Sequence, residues 1–320
     1  MSRRKIVIVR TMESESIQKV KEIAPDWEVI SSKEQSDWEN DIKEAEIIVG
    51  WRKGLDELCL TPDSKLRWLQ SWSAGINYLP LEKLAEKNVN LTNASGVHAY
   101  PISETIFALM LSLTRKIHTY IRNQASKTWD EADIKLEIHH KTIGIIGIGA
   151  IGKETAKIAK AFSMTVLGVR NSNKPEEYVD EMYTTDELHS VLPRCDYVVV
   201  TLPLTADTHH LFSYEQFKQM KPSAFFINIG RGELANEKEL IQALQDQQIA
   251  GAGLDVFSTE PLEENNPLWD MANVIITPHT AGLTEFYEKR VIEDIFLPNL
   301  TAYLDGEKPH VNLIDYSKGY

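Results

Sequence analysis

The feature that most constrains this chain is an apolar run that leads straight into closely spaced glycines. Residues 143–148 read as a buried strand, and Gly147, Gly149 and Gly152 form a G-x-G-x-x-G pattern that opens a helical run over 153–162. A second apolar run follows at 165–169. Strand, glycine turn, helix and strand in that order are the opening of a dinucleotide-binding α/β unit. Gly147 permits the tight turn, Gly149 lets a pyrophosphate approach the backbone, and Gly152 lets helix and strand pack closely. The free N–H groups and positive dipole end of the helix would then face the phosphates. Glycines at this spacing also occur in plain turns, and here the flanking strands and helix favour the dinucleotide reading.

The alternation continues through strands expected at 197–201, 224–229, 251–256 and 274–277. With 143–148 and 165–169 they make six, the strand number of a complete dinucleotide fold. An earlier series is expected at 5–9, 27–30, 46–51, 66–72 and 89–93, with a helix over 16–24 that Pro25 stops. Strands alternating with helices predict two doubly wound parallel sheets, an α/β chain. A length of 320 residues accommodates two such domains. Between the two series, Ile102, Ile106, Leu109, Leu113 and Ile117 recur at helical spacing from Pro101 onward. The apolar positions exceed one narrow stripe, so this is an ordinary core helix, a helix between domains or part of a dimer interface. A polar loop is expected around 124–133 and a last helical segment over 284–304.

The net charge is −13 with no long basic block, so nucleic acid is not an expected partner. No apolar stretch reaches the length of a membrane span, and the run at 5–9 is too short for a secretory signal. Cys59 and Cys195 have neither CxxC nor metal-site spacing and read as small buried residues in a reducing, cytoplasmic compartment. No metal is expected, and the pairs His139–His140 and His209–His210 read as surface residues. In so acidic a chain, an enzyme acting on anions must concentrate positive charge locally, which singles out individual arginines.

Arg170 ends the second strand of the later series, where an NAD enzyme would place Asp or Glu on the ribose hydroxyls. A carboxylate would repel a 2′-phosphate, whereas an arginine can pair with one. NADPH is therefore the expected cofactor, with Asn171, Ser172 and Lys174 nearby. NADH stays admissible if Arg170 points to solvent. Arg231, Glu260 and His279 each stand just past a later apolar strand. Ligands of open α/β sheets sit outside the carboxyl ends of the strands, so these three can converge. Taken singly they read as a surface ion pair, a loop carboxylate and a structural histidine.

The stretches 226–234, 253–257 and 277–282, with the motifs at 72–75, 93–96 and 201–205 and the Ser103-Glu104 helix start, together resemble the D-isomer-specific 2-hydroxyacid dehydrogenases over about residues 46–305. The resemblance implies a split chain, with a flavodoxin-like substrate domain over 1–100 and 285–320 and a Rossmann domain over 101–284 inserted into it. It implies reduction of a small 2-oxo acid to the D-2-hydroxy acid by hydride from NAD(P)H. His279 would be the proton donor assisted by Glu260, and Arg231 would hold the substrate. Backbone N–H groups of Ala74 and Gly75 would grip the substrate carboxylate. Ala150, Ile151, Asn171, Pro203, Ile229, Gly230, Asp255 and Gly282 would join Gly147, Gly149, Gly152, Arg170, Arg231 and His279 around the cofactor. A homodimer is also implied. Family members often carry Gly where His140 stands and a basic residue where Ala150 stands. Trp51, Arg52, Trp72 and Tyr100 either line the substrate pocket or pack the domains. A dinucleotide-sensing binding protein of the corepressor type is the competing class, and turnover of 2-oxo acids separates the two.

Overall fold

Period-two alternation in the first apolar run sends Ile6 and Ile8 into one core and Val7 into another. That division runs through the whole first sheet in the computed structural model, which describes residues 3–76, 78–131 and 134–316. The chain forms two units, one of Met1–Val97 with Thr284–Tyr320 and one of His98–Leu283. In the first, β1 (Lys5–Ile8), β2 (Glu28–Ser31), β3 (Ala45–Val49), β4 (Trp68–Gln70) and β5 (Asn90–Thr92) make a parallel sheet of order β2-β1-β3-β4-β5. On one face lie α1 (Ser14–Ile23) and the C-terminal helical segments, whose Ile292, Ile295, Phe296 and Leu300 pack on Ile6, Ile8 and Trp68. Phe296 stacks on Trp68 with ring centroids 5.1 Å apart. Burying a side chain of that size contributes roughly 1.5–3 kcal/mol. The opposite face packs Trp38, Ile42, Leu55 and Leu84 on Val7, Ile48 and Leu69, with α2 (Leu55–Cys59) and α3 (Leu81–Glu86) supplying two of them.

The second unit holds β6 (Thr142–Ile146), β7 (Thr165–Val169), β8 (Glu181–Tyr183), β9 (Tyr197–Val200), β10 (Phe225–Asn228), β11 (Gly251–Leu254) and β12 (Val274–Ile276). All neighbours pair in parallel, in the order β12-β11-β10-β9-β6-β7-β8. Counted from β6 this is the dinucleotide-fold order 3-2-1-4-5-6 with one further strand. The chain leaves β6 towards β7 and β8, then returns to the other side of β6 as β9, which opens a crevice at the carboxyl ends of β6 and β9. One face is covered by α4 (Ala99–Thr114), followed in the chain by α5 (Ile117–Ala125), and by α6 (Ala150–Ala161). The other face packs α7 (Leu188–Val191), α8 (Tyr214–Gln219) and α9 (Glu237–Gln245). Among the described residues no helix is long and apolar enough to cross a membrane.

The structure departs from expectation at four places. The helix from Pro101 breaks at Lys116, whose φ of 54° is left-handed, so Ile117 begins α5 and is exposed rather than extending the apolar series. The excess apolar surface of α4 is absorbed within its own unit, against α6, β10 and β11. The stretch expected as a polar loop from 124 is helical as far as Ala125, and Ala132 and Asp133 lie outside the described residues. A seventh strand, β8, was not expected, because it is a three-residue edge strand whose Glu181 is exposed and paired to Arg194. The last helical segment starts at Tyr287 and passes through a π-helical stretch, Val291–Phe296. Pro298 follows directly, and its nitrogen has no hydrogen for the carbonyl four residues back, which accounts for the change of register there. His140 adopts φ 59°, the left-handed region that favours glycine.

Candidate dinucleotide and catalytic site

The turn after β6 is built by contact between backbones. At Gly147 (φ 118°) a Cβ would stand 2.7 Å from Thr201 Oγ1 and 2.9 Å from the Leu202 nitrogen. Thr201 Oγ1 donates to the Gly147 carbonyl at 2.6 Å, which ties the β6 turn to the end of β9. At Gly152 a Cβ would lie 2.2 Å from the Gly147 oxygen, so only glycine lets α6 sit this close. Gly149, by contrast, faces open space, with nothing within 4 Å of an added Cβ. It is the N-cap of α6 and offers no side-chain cap, which leaves first-turn N–H groups, including those of Ala150 and Ile151, for a ligand. This cradle fits the pyrophosphate of a nicotinamide dinucleotide. Pro203 past β9, Ile229 and Gly230 past β10, Asp255 past β11 and Gly282 past β12 stand on the same carboxyl edge.

At the end of β7, Arg170 does not point freely to solvent. Its Nε donates to the Ser172 carbonyl at 3.2 Å, Nη2 to the Lys174 carbonyl at 2.8 Å and Nη1 to Glu176 Oε2 at 3.0 Å. Lys153, in the first turn of α6, reaches the same Glu176 oxygen at 2.9 Å. The hydrogen bond from Lys153 does most to hold the Glu176 carboxyl below the usual range, against partial burial and with help from Arg170. Asn171 stands beside Arg170 and accepts a long bond from Thr185 Oγ1 at 3.4 Å.

Arg231, Glu260 and His279 come together through their loops. Asn228, buried at the end of β10, donates to the Arg231 carbonyl at 2.9 Å and accepts from the Gly230 N–H at 3.1 Å. These two bonds set the turn from which Arg231 projects, with Nη1 on the Gly230 carbonyl at 2.7 Å. Among the described residues no carboxylate lies within ion-pair distance of Arg231. Glu260 Oε1 accepts the Phe257 N–H of its own loop at 2.9 Å, and Oε2 meets His279 Nδ1 at 2.7 Å. Partial burial pushes the Glu260 carboxyl up, but the bonds from His279 and Phe257 and the charges of His279 and Arg231 outweigh it and bring it below its usual value. An ionised carboxylate only accepts, so Nδ1 carries the hydrogen and Nε2 is the nitrogen free to exchange a proton. His279 itself has φ 53°, an unfavourable conformation held by its surroundings. Asp255, 2% exposed, accepts from Thr277 Oγ1 at 2.5 Å, Thr280 N–H at 3.0 Å and Ala281 N–H at 3.1 Å, so it clamps the loop on both sides of the histidine. Gly282 closes that loop, its carbonyl 2.9 Å from His98 Nδ1.

In the other unit, Ala74 and Gly75 follow β4. Asn93 Nδ2 holds the Ala74 carbonyl at 2.7 Å, and Gly75 faces open space. Trp72 packs inside that unit beneath the Arg10 guanidinium, 3.9 Å from the ring centroid, while Tyr287 donates to its carbonyl. Arg52 donates from Nε to the Val9 carbonyl at 3.0 Å. His139, His140, His209 and His210 are exposed. The burial that encloses Cys59 and Cys195 pushes both thiols up to about 12. Sequence reasoning missed three residues of the site. Asn228 carried a signal, as a polar residue ending the apolar run of β10. Glu176 and Lys153 carried none, since nothing periodic marks the loop that brings them to Arg170.

Fold and site thus define a dinucleotide-linked α/β protein with a paired histidine and carboxylate near an arginine that has no ion pair among the described residues. The sequence profile of the D-isomer specific 2-hydroxyacid dehydrogenase NAD-binding domain matches residues 107–281, and the chain belongs to that family. It is an NAD(P)-linked oxidoreductase of the 2-hydroxyacid dehydrogenase class. It is 36% identical to glyoxylate/hydroxypyruvate reductase B of Escherichia coli, over 84% of this chain and 86% of that one. A solved D-isomer specific 2-hydroxyacid dehydrogenase family protein from Aeromonas salmonicida is 33% identical, covers 98% of this chain and 100% of its own, and superposes with a TM-score of 0.81. The NADPH-dependent glyoxylate/hydroxypyruvate reductase of Sinorhizobium meliloti, solved with NADP and sulfate, is 26% identical over 99% of this chain and 100% of its own, with a TM-score of 0.78.

Asp255→Ala would leave the Thr280 and Ala281 N–H groups without their acceptor. The expected loss is roughly 1.5–3 kcal/mol of stability, the scale of hydrogen bonds to a charged group. Chemical denaturation measures it, and amide hydrogen exchange at 277–282 should rise with it. A variant as stable as the parent, with unchanged exchange, would show that the clamp does not hold the loop.

Proposed function

We propose that this protein reduces a small 2-oxo acid to the D-2-hydroxy acid, with NADPH as preferred cofactor and NADH as a second. The observation that carries the reading is the 2.7 Å His279–Glu260 pair, set on the same sheet edge as Arg231 and the glycine cradle. The reduced nicotinamide, when bound, supplies the hydride. Arg231 binds the substrate carboxylate and polarises the ketone, the work of a bidentate donor with no competing carboxylate among the described residues. His279 donates from Nε2 to the oxygen that develops negative charge, while Glu260 steadies the imidazolium through Nδ1. The strand order β2-β1-β3-β4-β5 supports a flavodoxin-like reading of the first unit, whose Ala74–Gly75 turn follows β4. The buried, unpaired thiols accord with a cytoplasmic location. With α4 occupied inside its own unit, the exposed Ile117, Ile121 and Trp129 are the apolar side chains that favour a homodimer. Sedimentation at micromolar concentration decides that point, and a monomer removes it.

His279→Ala is expected to lower kcat for 2-oxo acid reduction by about 10²–10⁴, the usual worth of general acid catalysis, with cofactor binding retained. Because the Glu260 carboxyl is depressed, its support of His279 is present above the ordinary carboxylate value of 4.5 and is lost as pH falls through the lowered one. Activity should therefore persist below that ordinary value on the acid side. Glu260→Gln removes the charge that steadies the imidazolium as the proton is transferred, so kcat should fall. Arg231→Ala should raise KM and lower kcat together. Steady-state kinetics with glyoxylate, hydroxypyruvate and larger 2-oxo acids supplies all of these values. Near-normal kcat in a folded His279→Ala protein would falsify the assignment, and no turnover of any 2-oxo acid by the parent would favour a dinucleotide-sensing protein instead. For the cofactor, kcat/KM should be higher with NADPH than with NADH, and Arg170→Ala should cost about 1.5–3 kcal/mol with NADPH alone. Equal values for the two cofactors in the parent would remove the preference.

A further inference from the structure

Arg170 and Lys153 reach one carboxylate from different elements, the end of β7 and the first turn of α6, and both meet the same oxygen, Glu176 Oε2. The contacts are 3.0 Å and 2.9 Å, and Glu176 is the least exposed of the three, at 18% against 24% for Arg170 and 50% for Lys153. An acidic oxygen between two cations is the arrangement those cations would offer to a phosphate oxygen. The carboxylate rides on a loop between β7 and β8 that also presents the Ser172 and Lys174 carbonyls to Arg170. Every remaining partner of the guanidinium is therefore local and already satisfied, and the position where a phosphate could enter is held by Glu176.

We propose that Glu176 is a specificity-determining residue of the adenosine end, an internal counter-ion that occupies Arg170 and Lys153 in place of a 2′-phosphate. This rests on the reading of Arg170 as the 2′-phosphate ligand. A 2′-phosphate brings about −1.5 to −2 charges near neutral pH, by analogy with other phosphate monoesters. With Glu176 in place, two cations face that charge plus a carboxylate, and the phosphate must displace Glu176 or bind beside it. A plain ribose diol carries no charge and leaves the Glu176 contacts undisturbed. Glu176 thus lowers affinity for NADP(H) selectively and narrows the gap between the two cofactors that Arg170 would otherwise open. The lowered pKa of the Glu176 carboxyl keeps this counter-ion ionised through the neutral range.

Calorimetric titration of the full chain with NADP+, NAD+, 2′-AMP and 5′-AMP at fixed ionic strength tests the proposal by binding alone. Glu176→Gln keeps a hydrogen-bond partner for Arg170 but removes the charge. It should tighten NADP+ and 2′-AMP by about fivefold, the upper range for a charge pair near the surface, and leave NAD+ and 5′-AMP within about twofold. Glu176→Ala should act in the same direction, which guards against an effect peculiar to glutamine. In Arg170→Ala, NADP+ should weaken selectively, and adding Glu176→Gln should restore less than it gains in the parent. Equal changes for all four ligands, or none, with Arg170→Ala still selective, overturn the role of Glu176 and leave the cofactor reading standing. If Arg170→Ala has no selective effect, both fail.

Discussion

Where Gly232 follows Arg231, a Cβ would stand 1.9 Å from the carbonyl carbon of Phe257. The loop after β10 and the loop after β11 touch backbone to backbone there, and the site depends on that contact. It brings the turn that carries Arg231 beside the turn that carries Glu260, although neither side chain helps to hold the other loop. The same device recurs at Gly152, where α6 rests on the turn after β6. Side chains between these loops would push the functional groups apart, since close-packed interiors do not absorb even a methyl group without displacement. The parallel sheet supplies the rest of the constraint. Its strands are covered on both faces, so polar chemistry is confined to its ends.

Acidic groups do much of the positioning in this acidic chain. Glu260 spends one oxygen on its own loop and one on His279, so the histidine is oriented by a carboxylate that the backbone has already fixed. Asp255 spends both oxygens on the loop around His279. Glu176 bridges two cations, Arg170 at the end of β7 and Lys153 on α6. Arg231, by contrast, has no carboxylate within ion-pair distance among the described residues. The His279–Glu260 pair is half exposed, so its worth lies in tautomer and orientation more than in stability.

Much of this was legible from periodicity. The five strands of the first sheet and six of the seven in the second were expected close to where they lie, because strands buried on both faces leave continuous apolar runs. β8 escaped because an edge strand of three residues has little to bury. The break between α4 and α5 escaped because apolar spacing continues across it, while the left-handed turn at Lys116 is a backbone event with no glycine to announce it. The excess apolar surface of α4 left three readings open, and packing against α6, β10 and β11 settles its place within the second unit.

The sequence by itself determined the glycine turn, the two strand series and the places of Arg231, Glu260 and His279 at strand ends, since each of these is a matter of local order along the chain. Only the tertiary structure decided what those groups touch. The Nδ1 bond to Glu260, the Asp255 clamp around the histidine and the seizure of Arg170 by Glu176 all join loops whose backbones take no repeating conformation. A loop's direction is set by the elements it lies against, and that information is absent from its own residues until the sheet has formed.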